Sequence, residues 1–372
     1  MISGIPEALR FARGWGSPPP SLSTTEVQIP VPADGSLVAG TVVSLPGDQP
    51  REGWIVLHGM SRRGREHPEL RRFVGAVAAT GARVLVPEVR EWANLDFAPL
   101  RSQEVLEGAV EWMHRDPLVR PGGVVLVGFS FGAPQALIAS SRPAVAARLR
   151  GVVGWGGYQD LRRTFHFAFT GEHEWEGVSY RNRPDPYVRW IIGANAIPLT
   201  TLASDPGGFT HALREMAIAA GERRIGSMEP TAEPLRQELR GKLVPADREL
   251  FDLFTPRWDE DPDPARGTEV VDLIVPLILQ TIPLVEPAPE TLTLTRPVRL
   301  LHGRTDRLIP YTETLRLGRS LETHPVDLSV RLTGLFGHSG GEVGGGGLWD
   351  KVRENLNFLQ ALREVFRIPT PR

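Results

Sequence analysis

Four short, unbroken apolar runs, Trp54-Ile-Val-Leu57, Val84-Leu-Val86, Val124-Val-Leu-Val127 and Val152-Val153, alternate with stretches whose apolar residues recur at helical spacing, near 67–80, 100–114 and 131–141. A strand wetted on one face alternates apolar and polar residues, so a continuous apolar strand is covered on both. Strands of that kind separated by helices predict a parallel sheet with helices packed against it. Before them, residues 24–31 and 37–45 do alternate, around Pro32-Ala-Asp-Gly35, and predict a β-hairpin.

The rhythm stops near Gly157 and resumes at Val298-Arg-Leu-Leu301, followed by a strand at 328–332 and a closing helix at 348–366. About 130 intervening residues are far too many for an ordinary connection. Short helical patterns at 209–220 and 233–243 predict that this segment is a helical cap. The chain therefore divides into an N-terminal arm (1–22, with the stiff spacer Ser17-Pro-Pro-Pro-Ser21), a first core part (23–156), the cap (157–290) and a second core part (291–372).

Composition narrows the chemistry. Of 372 residues 41% are apolar and 23% charged, which suits a packed globular protein. A net charge of −2 gives no nucleic-acid footprint. The absence of cysteine excludes disulfides, thiolate metal sites and a cysteine nucleophile. Lys242 and Lys351 are the only lysines, and neither sits in a Schiff-base or phosphate-loop motif. The apolar stretch 273–285 is interrupted by Pro276, Gln280, Thr281 and Pro283, too short for a span of about 20 residues. It reads as a buried or lid-lining segment. With Glu7, Arg10 and Arg13 breaking the first 15 residues, no signal sequence is expected. The expectation is a soluble cytoplasmic protein, although a mature secreted form would carry the same signature.

The strand at 124–127 runs directly into Gly128-Phe-Ser130-Phe-Gly132, and a helix pattern follows. Such a strand-to-helix reversal holds a serine hydroxyl exposed in a strained turn, with a helix N-terminus aimed at the site. A serine nucleophile needs a base and the base an orienting acid. His302-Gly-Arg-Thr-Asp306 follows the strand at 298–301, and Gly337-His338 follows the strand at 328–332. The order Ser130, Asp306, His338 is that of a serine hydrolase on a parallel sheet. His58-Gly59-Met60 ends the strand at 54–57, so the backbone N–H groups of Met60 and Phe131 are the candidate oxyanion hole.

Together these segments resemble the α/β-hydrolase superfamily, and the GFSFG and HGRTDRLIP stretches are similar to those of dienelactone-hydrolase-like and prolyl-oligopeptidase-like esterases. The likeness covers about two thirds of the chain and excludes the cap. It implies an α/β fold with a mostly parallel eight-stranded sheet, a large helical cap inserted after the sixth strand, and a serine esterase acting on a small-molecule ester without cofactor. Ala133 stands where a further glycine is often found, and Pro134 is tolerated in a first helical turn.

Several assignments stay open at this level. Asp160, just past the strand at 152–155, is the rival acid. Trp155 and Tyr158 fit either an acyl pocket or the core. His58 braces the oxyanion loop rather than serving as base. Arg62, Arg63 and Arg65 read as a solvated charged loop, with attraction of an anionic substrate as the alternative. Glu172-His-Glu174 lacks metal-ligand spacing, so no metal is assigned. An acyltransferase using the same triad, or a non-catalytic ligand-binding member of the fold, remains the alternative function. Substrate identity and oligomeric state are not legible.

Overall fold

The structure, a computed structural model, describes residues 4–17, 21–223, 225–334 and 348–369. Helix α1 (Ile5–Gly16) precedes strands β1 (Ser23–Pro30), β2 (Leu37–Ser44) and β3 (Arg51–Leu57). Then come α2 (Pro68–Ala79), β4 (Arg83–Pro87), α3 (Arg90–Ala93), α4 (Pro99–Arg115), β5 (Val119–Phe129), α5 (Gly132–Ser140), α6 (Pro143–Ala146) and β6 (Leu149–Trp155). An insertion contains α7 (Leu161–Thr170), a hairpin of β7 (Glu172–Trp175) and β8 (Val178–Arg181), and α8 (Tyr187–Ala196). It continues through α9 (Pro206–Arg223), α10 (Glu233–Lys242), α11 (Arg248–Phe254) and α12 (Pro264–Thr281). The sheet resumes with β9 (Val298–Gly303), α13 (Tyr311–Leu321) and β10 (Leu328–Thr333), and α14 (Leu348–Phe366) follows.

Eight strands form one sheet in the order β1-β2-β4-β3-β5-β6-β9-β10. β2 pairs antiparallel with β1 and with β4, and every pairing from β4 to β10 is parallel. The eight-stranded, mostly parallel sheet expected from the sequence is therefore present. Its central strands explain the unbroken apolar runs. Along β5, Val125 and Val127 face one layer, with Trp54, Val56 and Val153, while Val124 and Leu126 face the other, with Ile55, Leu57 and Val152. Period-two alternation sends successive side chains to opposite faces, and both faces here are covered.

The second of these layers runs on without interruption into the insertion, joining Phe169, Trp190, Phe209, Phe254 and Ile274 to the same buried cluster. Helical patterns expected at 209–220 and 233–243 appear as α9 and α10. The hairpin was not expected in a helical segment. Its turn is Glu176-Gly177, both residues at positive φ (52° and 78°), which suits a tight two-residue connection. Glu is an unusual first residue there, so the ordinary Asn-Gly or Asp-Gly signal was missing. Pro276 does not end α12 as its residue type suggests. It lies on the solvent side of the helix, as does Asp272 four residues earlier, so water can satisfy the carbonyl that lost its donor.

The segment expected to be an arm contains a docked helix. α1 buries Phe11 completely against Phe73, Phe358 and Phe366, with ring centroids 5.5, 6.4 and 5.9 Å away. Gly14 packs so closely on α2 that a Cβ there would lie 2.9 Å from the Ala79 methyl. Phe11→Ala should lower the free energy of unfolding by about 3–5 kcal/mol, the usual cost of emptying a buried aromatic site. Urea unfolding measures it; a change below about 1 kcal/mol would mean that α1 is not part of the folded core.

Candidate functional site

The carboxyl ends of β3, β5, β6 and β9 lie side by side, with Leu57 opposite Gly128, Phe129 opposite Trp155, and Trp155 opposite Leu301. At this edge β5 turns directly into α5. Ser130, at the apex, adopts φ 51°, a left-handed conformation that costs a non-glycine residue about 1–3 kcal/mol and persists only where surroundings enforce it. The surroundings are tight. A Cβ on Gly128 would meet the Gly132 carbonyl oxygen at 2.1 Å, and one on Gly132 would meet the His58 carbonyl oxygen at 2.8 Å. The N–H of Ser130 donates to the Trp155 carbonyl at 2.8 Å, and the N–H of Ala133 donates to the Ser130 carbonyl at 2.9 Å. The turn is thus tied to β6 on one side and to α5 on the other.

The loop after β3 lies against this serine. A Cβ on Gly59 would be 3.0 Å from the Ser130 Cβ and 3.6 Å from its Oγ. Among the described residues, the N–H groups of Met60 and Phe131 donate to no protein acceptor. Phe131 is the N-cap of α5, and its ring packs on Trp92, Phe97 and Tyr158.

Asp306 lies in the loop after β9, nearly fully buried. Its Oδ1 accepts the N–H groups of Leu308 (2.8 Å) and Ile309 (3.0 Å), while Oδ2 is 3.2 Å from His302 Nε2. His302, wholly buried, also faces the Ile309 carbonyl through Nε2 (3.0 Å) and Thr314 Oγ1 through Nδ1 (2.7 Å). Both groups facing Nε2 accept hydrogen bonds, so that nitrogen carries a proton. Asp160 is committed differently. Its Oδ1 caps α7 by accepting the Arg163 N–H at 2.7 Å, and its Oδ2 pairs with the Arg163 guanidinium at 3.2 Å. β10 ends at Thr333, paired with Gly303 at the end of β9. His338 lies outside the described residues.

Glu313 on α13 was not singled out from sequence. Its buried carboxylate accepts the N–H groups of Gln159 (3.1 Å) and Asp160 (2.9 Å) and the Arg163 guanidinium (2.6 Å), anchoring the start of the insertion to the sheet. No local pattern marks such a glutamate, because its partners are about 150 residues away.

Of the arginines after Met60, Arg62 is exposed, as a solvated loop predicts, whereas Arg63 and Arg65 are partly buried. Arg62 pairs with Glu222 at 3.1 Å, and Arg63 donates to the Gly221 carbonyl at 3.1 Å, both on the last turn of α9. Arg65 pairs with Glu26 (2.7 Å) and Glu88 (3.1 Å) and is mostly buried. Helix C-termini expose unpaired carbonyls, which explains why Arg63 finds an acceptor there. Trp155 packs among Phe73, Phe129 and Phe358, in the layer of α1 and α14. Tyr158 is buried on the opposite layer, its hydroxyl donating to the Val285 carbonyl at 2.5 Å and its pKa pushed well up by burial. Among the described residues, no group of three or more His, Asp or Glu side chains is placed to hold a metal ion, and no helix is long and apolar enough to cross a membrane.

This architecture is the α/β-hydrolase fold. Among solved structures the chain is similar to brefeldin A esterase, a bacterial homologue of human hormone-sensitive lipase, with a TM-score of 0.50 and 15% identity over 97% of this chain and 83% of that one. An esterase from the fungus Rhizomucor miehei superposes with a TM-score of 0.47 at 14% identity, covering 97% of each chain. A Klebsiella pneumoniae protein described as a putative dienelactone hydrolase gives 0.43 at 10% identity over 92% of this chain and 98% of that one. No protein-family model and no curated protein matches the sequence. The fold assignment rests on the first superposition and on the sheet order.

His58 supplies a pH signature. Burial lowers its pKa from 6.5 to about 4, so the folded protein keeps the ring neutral where the unfolded chain takes up a proton. Stability from this group is complete above pH 6.5 and is lost as pH falls toward 4. Denaturant unfolding at pH 7 and pH 5 should show His58→Phe losing about 2 kcal/mol less than wild type on acidification. Equal losses would mean that the ring is protonated in the folded state.

Proposed function

We propose that this protein is a serine hydrolase that cleaves carboxylic esters through an acyl-enzyme on Ser130. The observation that carries the reading is Ser130 at positive φ in a turn that tolerates no Cβ at Gly128, with the Gly59-Met60 segment against it. A conformation this costly is maintained where a hydroxyl must stand clear of its own backbone.

In this mechanism Ser130 Oγ attacks the acyl carbon while His338 takes the hydroxyl proton. The carbonyl oxygen becomes an oxyanion held by the N–H groups of Met60 and Phe131, whose lack of a protein acceptor among the described residues supports that role. The imidazolium returns its proton to the departing alkoxide as the C–O bond breaks. Water, deprotonated by the same imidazole, then attacks the acyl carbon, and the acid leaves as Ser130 regains its proton. Asp306 fixes the imidazole tautomer and stabilises its charged form. Its position past the carboxyl end of β9, with two backbone N–H groups orienting the carboxylate, supports this choice. Asp160 instead serves α7 as its cap. The insertion is the cap over the site, held to the loop after β3 by Arg62 and Arg63. The acyl group would lie beside Phe131 and Tyr158, and Trp155 supports the turn from the other layer. The similarity to brefeldin A esterase, by its name an ester-cleaving enzyme, supports the same reaction class.

A panel of p-nitrophenyl esters of graded acyl length should give turnover that Ser130→Ala reduces by at least about 10³-fold, with labelling of Ser130 by a fluorophosphonate. Unchanged hydrolysis in the alanine variant, or no labelling of the wild type, overturns the proposal. Product partition with added alcohol distinguishes hydrolysis from acyl transfer. For the acid, Asp306→Asn should lower kcat by about 10³–10⁴-fold, whereas Asp160→Ala changes it less than about tenfold and lowers the melting temperature instead. The reverse pattern would make Asp160 the acid.

A further inference from the structure

We infer that residues 284–286 form a stop at the acyl end of the site, and that Gln135 and Tyr158 set the length of acyl chain accepted by holding that stop in place. This inference rests on the function proposed above.

The stop is fastened at each of its three residues. The Leu284 carbonyl accepts the side-chain amide of Gln135 at 2.7 Å. A carbonyl can only accept, so the Gln135 atom facing it is the NH₂ group. The Val285 carbonyl accepts the Tyr158 hydroxyl, and the Glu286 carboxylate accepts the Leu161 N–H at 2.6 Å. Leu284 is held at φ 61°, a left-handed conformation that a leucine keeps only where its surroundings impose it. The three donors come from α5, from the loop after β6 and from the start of α7, so a shift of the stop against any one of them breaks a bond.

Both side chains that hold the stop belong to the surroundings of Ser130. Gln135 lies on the first turns of α5, fully buried. Its Oε1 accepts Gln103 Nε2 at 2.9 Å and Ser102 Oγ at 3.1 Å, both from α4, so its amide is fixed at both ends. Tyr158 follows Trp155, whose carbonyl takes the Ser130 N–H, and its ring lies 6.2 Å from that of Phe131. A Cβ on Gly157 would be 2.6 Å from the Ala133 methyl, so this loop is pressed on the start of α5. An acyl chain passing Phe131 and following the Tyr158 ring therefore meets buried Val285 at the hydroxyl end of that ring.

A groove of about 530 Å³ lies on the far side of the stop, with Pro32, Ala33, Leu100, Gln103 and Leu284 among its walls. Gln103 and Leu284 are the groups that Gln135 bonds, so Gln135 and the stop stand between the groove and the Tyr158 ring. A close-packed interior has no room for added methylenes. A stop backed by a groove can give way into it, so loosening the stop admits longer chains instead of only lowering stability.

The measurement is kcat/KM for p-nitrophenyl acetate, butyrate, octanoate and dodecanoate. Wild type should favour acetate or butyrate over octanoate by at least about tenfold. Tyr158→Phe keeps the ring and loses the bond to Val285, and Gln135→Met keeps the side-chain length and loses the bond to Leu284. Each should raise the octanoate-to-acetate ratio at least about fivefold over wild type. A smaller rise in either variant, with a lowered melting temperature, is what a merely structural role gives, and it overturns the inference. A wild type whose best substrate is octanoate or dodecanoate overturns it as well, and that profile decides even if neither variant folds. Absence of ester turnover in the wild type sinks the proposed function, and the stop falls with it. An active wild type with an unchanged ratio in the variants sinks the stop alone.

Discussion

The close approach of β5 to α5 governs the rest of the molecule. Two glycines, four positions apart, let the chain reverse with the Gly132 carbonyl where a Cβ on Gly128 would otherwise sit. Ser130, midway between them, is driven into left-handed backbone space and held there by bonds to β6 and α5. The same compression brings the His58 carbonyl and Gly59 against the turn. A single packing constraint thus sets the distance between the candidate nucleophile and the candidate oxyanion donor. Neither needs long side chains to find the other.

The insertion is part of the fold and not an accessory to it. Its aromatic residues extend the apolar layer on one face of the sheet, so the core and the insertion exclude water together. Polar bonds fix its position at separate points. Asn195 on α8 bonds Leu95 and Phe97 of the loop before α4, where Leu95 and Ala98 are held at positive φ. Glu313 gathers the chain entering α7. Arg62 and Arg63 bind the end of α9 two and three residues beyond Met60. These contacts join the last turn of α9 to the loop beside Ser130. The exposed pair of Arg62 with Glu222 is weak on its own, worth at most about 1 kcal/mol.

Charge inside the structure follows one pattern. Buried ionisable groups are paired or hydrogen-bonded, as desolvation requires. Asp306 and Glu313 accept backbone N–H groups. Arg189, buried on α8, donates to the carbonyls of Ala168 (2.7 Å) and Leu253 (2.8 Å) and has its pKa lowered by burial to about 10. At His58, also hydrogen-bonded through both ring nitrogens, burial favours the uncharged ring.

Local pattern was enough for the sheet and for the turn that holds Ser130. Unbroken apolar runs mean two covered faces, and Gly-Phe-Ser-Phe-Gly behind such a run means a reversal too tight for Cβ atoms. The period of α9 and α10 was legible for the same reason, while the β7–β8 hairpin was not, because its Glu-Gly turn lacks the usual residues. What the sequence could not contain is any distance between remote segments. Whether Asp160 caps a helix, whether Trp155 faces α14, and whether Arg62 and Arg63 are solvated depended on which surfaces the insertion covered. The tautomer of His58 needed the Val89 amide, 31 residues away, to be brought against Nε2. Periodicity and turn chemistry are properties of neighbours along the chain, so the sequence by itself determined the sheet and its sharp corner. Hydrogen-bond partners and burial arise from chain closure, so tertiary structure alone decided which polar groups are paired, neutral or left facing the site.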